Sequence, residues 1–256
     1  MEKIIAIYGP TTSNKLGLVF NLSKYLWGKY RINSEVINAD SRKIYKDFKI
    51  SQSLPIESFF KKIKLHLFGT ISAKEKIDLY DFQKIVRDKI IDVQQKNNLP
   101  ILVGGSSIHL LCVLQNWKKG EKRIRKEIPS NVLTLGVAIS RKELKKSVGK
   151  NISEMFRKGL YSEFKILYKK SQKGELSEEL LKETLGYRQF LEMAKVSNKS
   201  PLELNTKDLI KIKKWIIKDI LKYAYHQSLD YKKFPNIHLI RGFKQSKKIV
   251  DSFLNH

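Results

Sequence analysis

The sequence predicts an α/β fold in which a mostly parallel sheet is flanked by helices and leads into a helical C-terminal half. Three observations predict it. Short apolar, β-branched runs alternate with stretches whose apolar residues recur at helical spacing, and parallel strands need such crossover segments between them. Several of these runs stop at Gly, Pro or a polar residue, as a buried strand does where it enters a turn. Residues at about 140–232 are mostly helix-patterned and heavily basic, with loops near SQKGE and SNKSP.

In order, KIIAIY (3–8) is the first strand, halted by Gly9-Pro10. KLGLVFNLSKYLWGKY (15–30) puts Leu16, Val19, Phe20, Leu22 and Leu26 at helical spacing. SEVINAD (34–40) is a second strand that ends on polar residues. DFQKIVRDKIIDVQQKNN (81–98) is a helix with Phe82, Ile85, Val86, Lys89 and Ile90 along one face and Asp81 in its opening turn. LPILVGG (99–105), VLTLGVAIS (132–140) and NIHLI (236–240) supply the third, fourth and fifth strands. The charged stretch NWKKGEKRIRKEIPSN (116–131) joins the third strand's helix to the fourth strand. It reads as a solvated loop, or as one that contacts substrate.

With 41% hydrophobic residues in a chain of 256, a packed core is expected. No repeat or linker divides the chain, so 1–256 is expected to form a single domain. No stretch approaches the roughly 20 apolar residues of a membrane span, and Lys3 with the short apolar run after it does not make a signal peptide. The expected location is the cytoplasm. Cys112 is the single cysteine, which rules out an intrachain disulfide, and the five histidines lack the close spacing of a zinc site. Lys and Arg number 51 against 25 Asp and Glu, a formal charge of +26 that suits a polyanionic partner such as RNA. Only nine of the 51 are Arg, so a codon bias toward Lys, Ile and Asn is the competing explanation.

The stretch GPTTSNKL (9–16) lies between the first strand and its helix. A phosphate-binding loop reads G-x-x-x-x-G-K-[ST]: glycines let backbone N–H groups face the anion, Lys supplies charge, and the hydroxyl holds Mg²⁺. Gly9 and Lys15 keep that spacing, and Asn14 takes the second glycine position, where Asn tolerates positive φ better than other side chains. Leu16 has no oxygen for a metal. A magnesium ion would then be held through water, by the substrate, or by a side chain such as Ser13. Asp40 ends the second strand and a Gly-Gly-Ser turn ends the third. Open α/β sheets place their ligand crevice at these strand ends.

GPTTSNK, INADSRKIY, LYDFQK, ILVGGSS with IHLL after it, MFRKGLYSE (155–163) and LGYRQFLE (185–192) together resemble the tRNA dimethylallyltransferase family. The resemblance covers the first 115 residues well and 133–192 moderately. It implies a P-loop nucleoside-triphosphatase-like fold and transfer of a prenyl group from dimethylallyl diphosphate to the N6 amine of the adenosine 3′ of the anticodon. It further implies that Gly9, Pro10, Thr11, Thr12, Ser13, Asn14, Lys15 and Leu16 cradle the diphosphate. Asp40, Lys15 and Arg141 would be the catalytic residues, Asp40 taking the amine proton and Arg141 adding a diphosphate or phosphate contact, and Asp40, Ser41, Arg42, Lys43 and Ser106 would meet the tRNA. Mg²⁺ is the implied cofactor, and the protein is expected to be a monomer with no membrane attachment.

Departures from the family pattern are specific. Leu16 replaces a threonine, Lys43 a glutamine, and Ser147 and Asn151 fall where arginines are usual. The segment YAYHQSLDYKK (223–233) lacks the Lys-Arg and Trp of its family counterpart. The chain also passes from Gln115 through the basic connection straight to the strand at 132, without the helical insertion that grips the anticodon stem-loop. Two further readings therefore stand beside prenyl transfer: a relative that binds tRNA without modifying it, and a small-molecule phosphotransferase. Among the remaining residues, Asp47 and Asp81 read as solvated or helix-capping carboxylates, and His66 as a core-edge histidine or a substrate neighbour. His109 and Cys112, one turn apart, read as helix packing, and Trp27, Trp117 and Trp215 as core or half-buried anchors.

Overall fold

A computed structural model describes residues 2–55, 63–74, 76–120 and 127–255. Its elements run β1 (Ile4–Tyr8), α1 (Lys15–Tyr30), β2 (Ser34–Asn38), β3 (Leu65–His66), α2 (Leu79–Gln95), β4 (Leu99–Gly104), α3 (Ser107–Gln115) and β5 (Val132–Val137). The helical half follows as α4 (Arg141–Arg157), α5 (Leu160–Gln172), α6 (Glu178–Glu183), α7 (Tyr187–Val196) and α8 (Thr206–Leu229). A 3₁₀ turn at Asp230–Lys233 leads to β6 (Ile237–Ile240) and α9 (Phe243–Asn255).

The described strands form one parallel sheet in the order β3-β2-β4-β1-β5-β6. Alternation along each strand decides which layer a side chain enters. On β1, Ile5 and Ile7 pack beneath α1 and α9 with Leu18, Val19, Leu22 and Val250. Ala6 and Tyr8 face the opposite layer with Phe82, Leu110 and the helical half. The chain leaves β1 on one side for β2 and crosses from β4 to β5 on the other. Such a reversal opens a crevice at the carboxyl ends of the strands.

All five expected strands form, and the sheet has a sixth that the sequence did not reveal. β3 is two residues long, too short for any alternation to register. His66 holds this edge in place by a short contact from Nε2 to Glu35 on β2, both side chains nearly buried. The histidine is therefore a sheet-edge anchor. Helix α2 begins two residues earlier than expected because Asp78, not Asp81, caps it, its carboxylate accepting from the N–H of Tyr80 at 2.7 Å and of Asp81 at 2.8 Å. Asp47 ties a turn by accepting from Ala73 N at 2.9 Å. Trp117 and Trp215 are half-buried, but Trp27 is 49% exposed beneath the Arg31 guanidinium and anchors no core. Within the basic connection at 116–131, residues 121–126 lie outside the described residues.

Capping fixes the two helices that matter most to the strand ends. Ser140 and Glu143 close a reciprocal capping box at the start of α4. Asn205 and Asp208 do the same for α8. With 24 residues α8 is about 36 Å long at the usual rise. Its last two turns reach the carboxyl end of the sheet.

Candidate active site

The loop after β1 turns through two left-handed residues, Thr12 at φ 61° and Asn14 at φ 57°. Asn14 takes up the positive φ at the position where a phosphate loop has glycine. Its side chain folds over Gly17, where a Cβ would come within 2.5 Å of Asn14 Oδ1. Lys15 donates from Nζ to the carbonyls of Gly9 at 2.8 Å and Pro10 at 2.7 Å. Desolvation in the loop pushes the Lys15 pKa down to about 7, with the Asp40 carboxylate pulling it up and the Lys43 ammonium lowering it further.

Asp40 is positioned by the strand that precedes it. Asn38 is fully buried at the end of β2. Its amide donates to the carbonyls of Asp40 and Leu67, both at 2.9 Å, and its Oδ1 accepts from Asp40 N at 3.0 Å. Asp40 Oδ1 in turn accepts from Arg42 N at 3.1 Å. The carboxylate is thus held on a rigid turn at the strand end.

Gly104 and Gly105 end β4 where no side chain fits. A Cβ on Gly104 would lie 2.5 Å from the Ala39 carbonyl oxygen. One on Gly105 would lie 3.4 Å from Gly9 O and 3.5 Å from Asp40 Oδ2. The three strand-end turns therefore converge within van der Waals distance of one another. They open into a cavity of about 930 Å³ whose wall includes residues 11–16, Asp40, Arg42, Lys43, Gly104 and Gly105. Leu16, Phe68, Val103 and Met155 give the same cavity an apolar part.

The IPP transferase family model matches residues 43–131 and 117–229. The chain belongs to the IPP transferase family. A tRNA dimethylallyltransferase from Oenococcus oeni is 27% identical over 250 residues, an alignment covering 92% of this chain and 88% of the relative. One from Phytoplasma australiense is 36% identical over 132 residues, which cover 52% of this chain but only 41% of that protein. Among solved structures, the tRNA isopentenylpyrophosphate transferase of Bacillus halodurans superposes with a TM-score of 0.81 at 18% identity, over 100% of this chain and 96% of the other. A eukaryotic dimethylallyltransferase acting on tRNA gives a TM-score of 0.78 at 16% identity, over 100% of this chain and 80% of the other. At these identities the superpositions establish the fold that the family shares.

The departures from the family pattern lie around the same cavity. Ser147 and Asn151 project from α4 onto its wall. Ser147 Oγ donates to Thr12 O at 2.8 Å, and Asn151 Oδ1 lies 3.4 Å from Ser53 Oγ. Arg42 reaches across the rim to Glu183 at 2.5 Å. Ser106 stands at the N-cap position of α3 and its hydroxyl lies 2.7 Å from His109 Nδ1 instead of bonding a helix N–H, which accounts for His109 without a metal pair. Burial lowers the His109 pKa against the opposing pull of Asp40. Arg141 stands apart: it is exposed in the first turn of α4, its guanidinium lies 5.0 Å from the Tyr225 ring centroid, and it does not line this cavity.

Two positioning residues escaped the sequence reading. Gln227 on α8 is 5% exposed. Its Oε1 accepts from Thr11 N at 2.8 Å, its Nε2 donates to Gly105 O, and its own carbonyl accepts from Tyr8 OH at 2.7 Å. One side chain thus joins the phosphate loop to the glycine turn. Glu163 on α5 accepts from Ile50 N at 2.7 Å and Ser51 N at 3.0 Å, and so holds the turn that carries Ser51, Gln52 and Ser53 along the cavity. A glutamine or glutamate at one helical position reads as surface. Only the packing of α5 and α8 against distant loops makes these two internal.

The family's magnesium fits these residues poorly. Leu16 offers no oxygen and packs against the core beneath α1. Ser13 is buried and donates its hydroxyl hydrogen to Pro10 O at 2.8 Å. Among the described residues no group of three or more His, Cys, Asp or Glu could hold a metal ion.

Proposed function

We propose that this protein transfers a dimethylallyl group from dimethylallyl diphosphate to the N6 amine of the adenosine 3′ of the anticodon in tRNA. The observation that carries the reading is the opening of the Lys15 loop and the Asp40 carboxylate into one cavity from the ends of β1 and β2, the two strands that flank β4. The names of the relatives, tRNA dimethylallyltransferases, agree with it.

In the reaction the adenine nitrogen attacks the first carbon of the dimethylallyl group while the carbon–oxygen bond to the diphosphate breaks. The bonding electrons leave on the diphosphate oxygen, and the amine proton passes to Asp40. An aromatic amine is a weak nucleophile, so both ends of this exchange need help. Backbone N–H groups of Thr12, Asn14 and Lys15 and the Lys15 ammonium receive the diphosphate at the N-terminus of α1, where the helix dipole also favours an anion. Leu16, Phe68, Val103 and Met155 receive the five-carbon chain.

The target base is stacked in its loop and has to be turned out to reach Asp40. Ser41, Arg42 and Ser106 lie at the strand ends where the anticodon loop would enter, and Arg42 would exchange Glu183 for an RNA phosphate. Arg141 lies farther out, as a contact to the RNA backbone. The charge of +26 supplies attraction to tRNA in place of the missing insertion. We assign a cytoplasmic, monomeric enzyme; among the described residues no helix is long and apolar enough to cross a membrane.

The test is mass spectrometry of nucleosides from unmodified tRNA incubated with the protein and dimethylallyl diphosphate, with and without Mg²⁺. A prenylated adenosine that is lost in Asp40→Ala is the expected result. Leu16 favours the alternative of a binder without turnover, whose signature is tRNA binding with no product under either condition.

A further inference from the structure

We propose that Lys43 and Lys15 together form an anion site that receives the diphosphate without a divalent metal. The proposal rests on the prenyl-transfer reading for the identity of the anion, but its geometry is independent of that reading.

A phosphate loop normally neutralises its ligand with a lysine and a metal held by the next hydroxyl. Here the second half of that arrangement is replaced by an alkyl group. Leu16 packs, partly buried, against the core cluster that includes Ile5, Ile7 and Val103, and its side chain has no oxygen to offer a metal. A second cation lies on the wall of the same cavity. Lys43 follows Asp40 in the turn after β2, where its N–H donates to Asp40 O at 3.0 Å and its carbonyl accepts from Gly69 N at 2.8 Å. That turn fixes the Lys43 backbone. The ammonium donates to Gln52 O and reaches Ser53 O at 3.5 Å.

The two lysines share an unusual state. Among the described residues neither is ion-paired to a carboxylate; each ammonium rests on two main-chain carbonyls and keeps a third donor in reserve. Arg42 and Arg188, by contrast, are paired with Glu183 and Asp219 at 2.5 and 2.9 Å. Desolvation lowers the pKa of both lysines, Asp40 opposes the shift in both, and the charge of Lys43 is felt at Lys15. Two like charges in a desolvated wall are costly unless an anion lies between them. Thr12 Oγ1, buried in the loop with no partner, is a further donor for a phosphate oxygen. Lys43 thus supplies one of the two positive charges that the metal would bring, beside the loop lysine that both arrangements share.

The experiment is isothermal titration of inorganic pyrophosphate into the full chain in EDTA, then in Mg²⁺. Saturable binding in EDTA is expected. Lys43→Met should weaken it by about 10–100-fold, the loss of one charge-assisted contact, while Lys43→Arg retains most of it. No binding in EDTA with binding restored by Mg²⁺ overturns the proposal, as does an unchanged affinity in a folded Lys43→Met. The nucleoside assay in the same buffers separates the two claims. Product that requires Mg²⁺ overturns the metal-free site and leaves prenyl transfer standing. Pyrophosphate binding in EDTA with no product in either buffer leaves the site and overturns prenyl transfer.

Discussion

Replacing Gln227 by methionine keeps the side chain's length and removes both of its polar ends. The loop N–H of Thr11 and the carbonyl of Gly105 then lose their partner. A buried polar group left without a partner costs about 1–3 kcal/mol. Gly105 is buried and bears the full cost, whereas Thr11 is partly exposed and recovers some of it from water. The sum is roughly 2–4 kcal/mol of stability, readable as a shift in the urea midpoint at unchanged slope. The larger effect is on turnover. Gln227 sets the spacing between the loop that receives the leaving group and the glycine turn beside Asp40, and a displacement of about 1 Å in a reacting geometry costs on the order of 100-fold. Steady-state prenyl transfer should therefore show kcat down by about that factor with KM for tRNA little changed. Gln227→Glu keeps the acceptor for Thr11 N but turns an oxygen toward Gly105 O, so it should not rescue. A methionine variant with parental stability and kcat would refute the role given to this side chain.

Other perturbations have equally definite expectations. The free-loop pKa of Lys15 near 7 means that an anion, which needs the ammonium, must restore a proton above that pH. The Lys15-dependent part of pyrophosphate affinity, taken as the difference from Lys15→Gln, should fall as pH rises from 7 to 9, with proton uptake visible in buffers of different ionisation enthalpy. The same shift has a stability sign: the unfolded chain holds this proton up to about 10.5 and the folded chain only to about 7, so stability rises with pH across that window and the Lys15 penalty is greatest below it. Gly104→Ala forces a Cβ to 2.5 Å from Ala39 O, a backbone atom with no room to yield, and should destabilise by about 1–3 kcal/mol in thermal or urea melts. Glu183→Gln frees Arg42 from a half-exposed ion pair. Stability should change by less than about 1 kcal/mol, while filter binding at low salt should show tRNA affinity raised a few-fold.

What the sequence disclosed and what it withheld follow from range. GPTTSNK, Asp40 and Gly104-Gly105 are legible because each sits where a β-branched run ends, and the strand order then brings them together. The positive φ of Asn14 is a local property of the residue type, and the structure has it at 57°. β3 was not legible, since two residues carry no period and its pairing depends on the contact between His66 and Glu35. Gln227 and Glu163 were not legible because their partners lie 216 and 113 residues away. Arg141 shows the opposite failure. Its position at the start of α4 can be read from Ser140 and Glu143, but not which turn of α4 faces the cavity; the helix presents Ser147 and Asn151 there.

Single-turnover prenyl transfer by the parent protein and by Asp40→Asn tests the central claim most directly, because the substitution keeps the shape of the turn and removes the base. Pre-bound tRNA and excess dimethylallyl diphosphate isolate the chemical step. The account predicts a product burst in the parent and a rate lower by about 10²–10⁴-fold in Asp40→Asn, with pyrophosphate and tRNA binding intact in both. Equal rates in the two proteins, or no product from a parent that still binds tRNA, would contradict it.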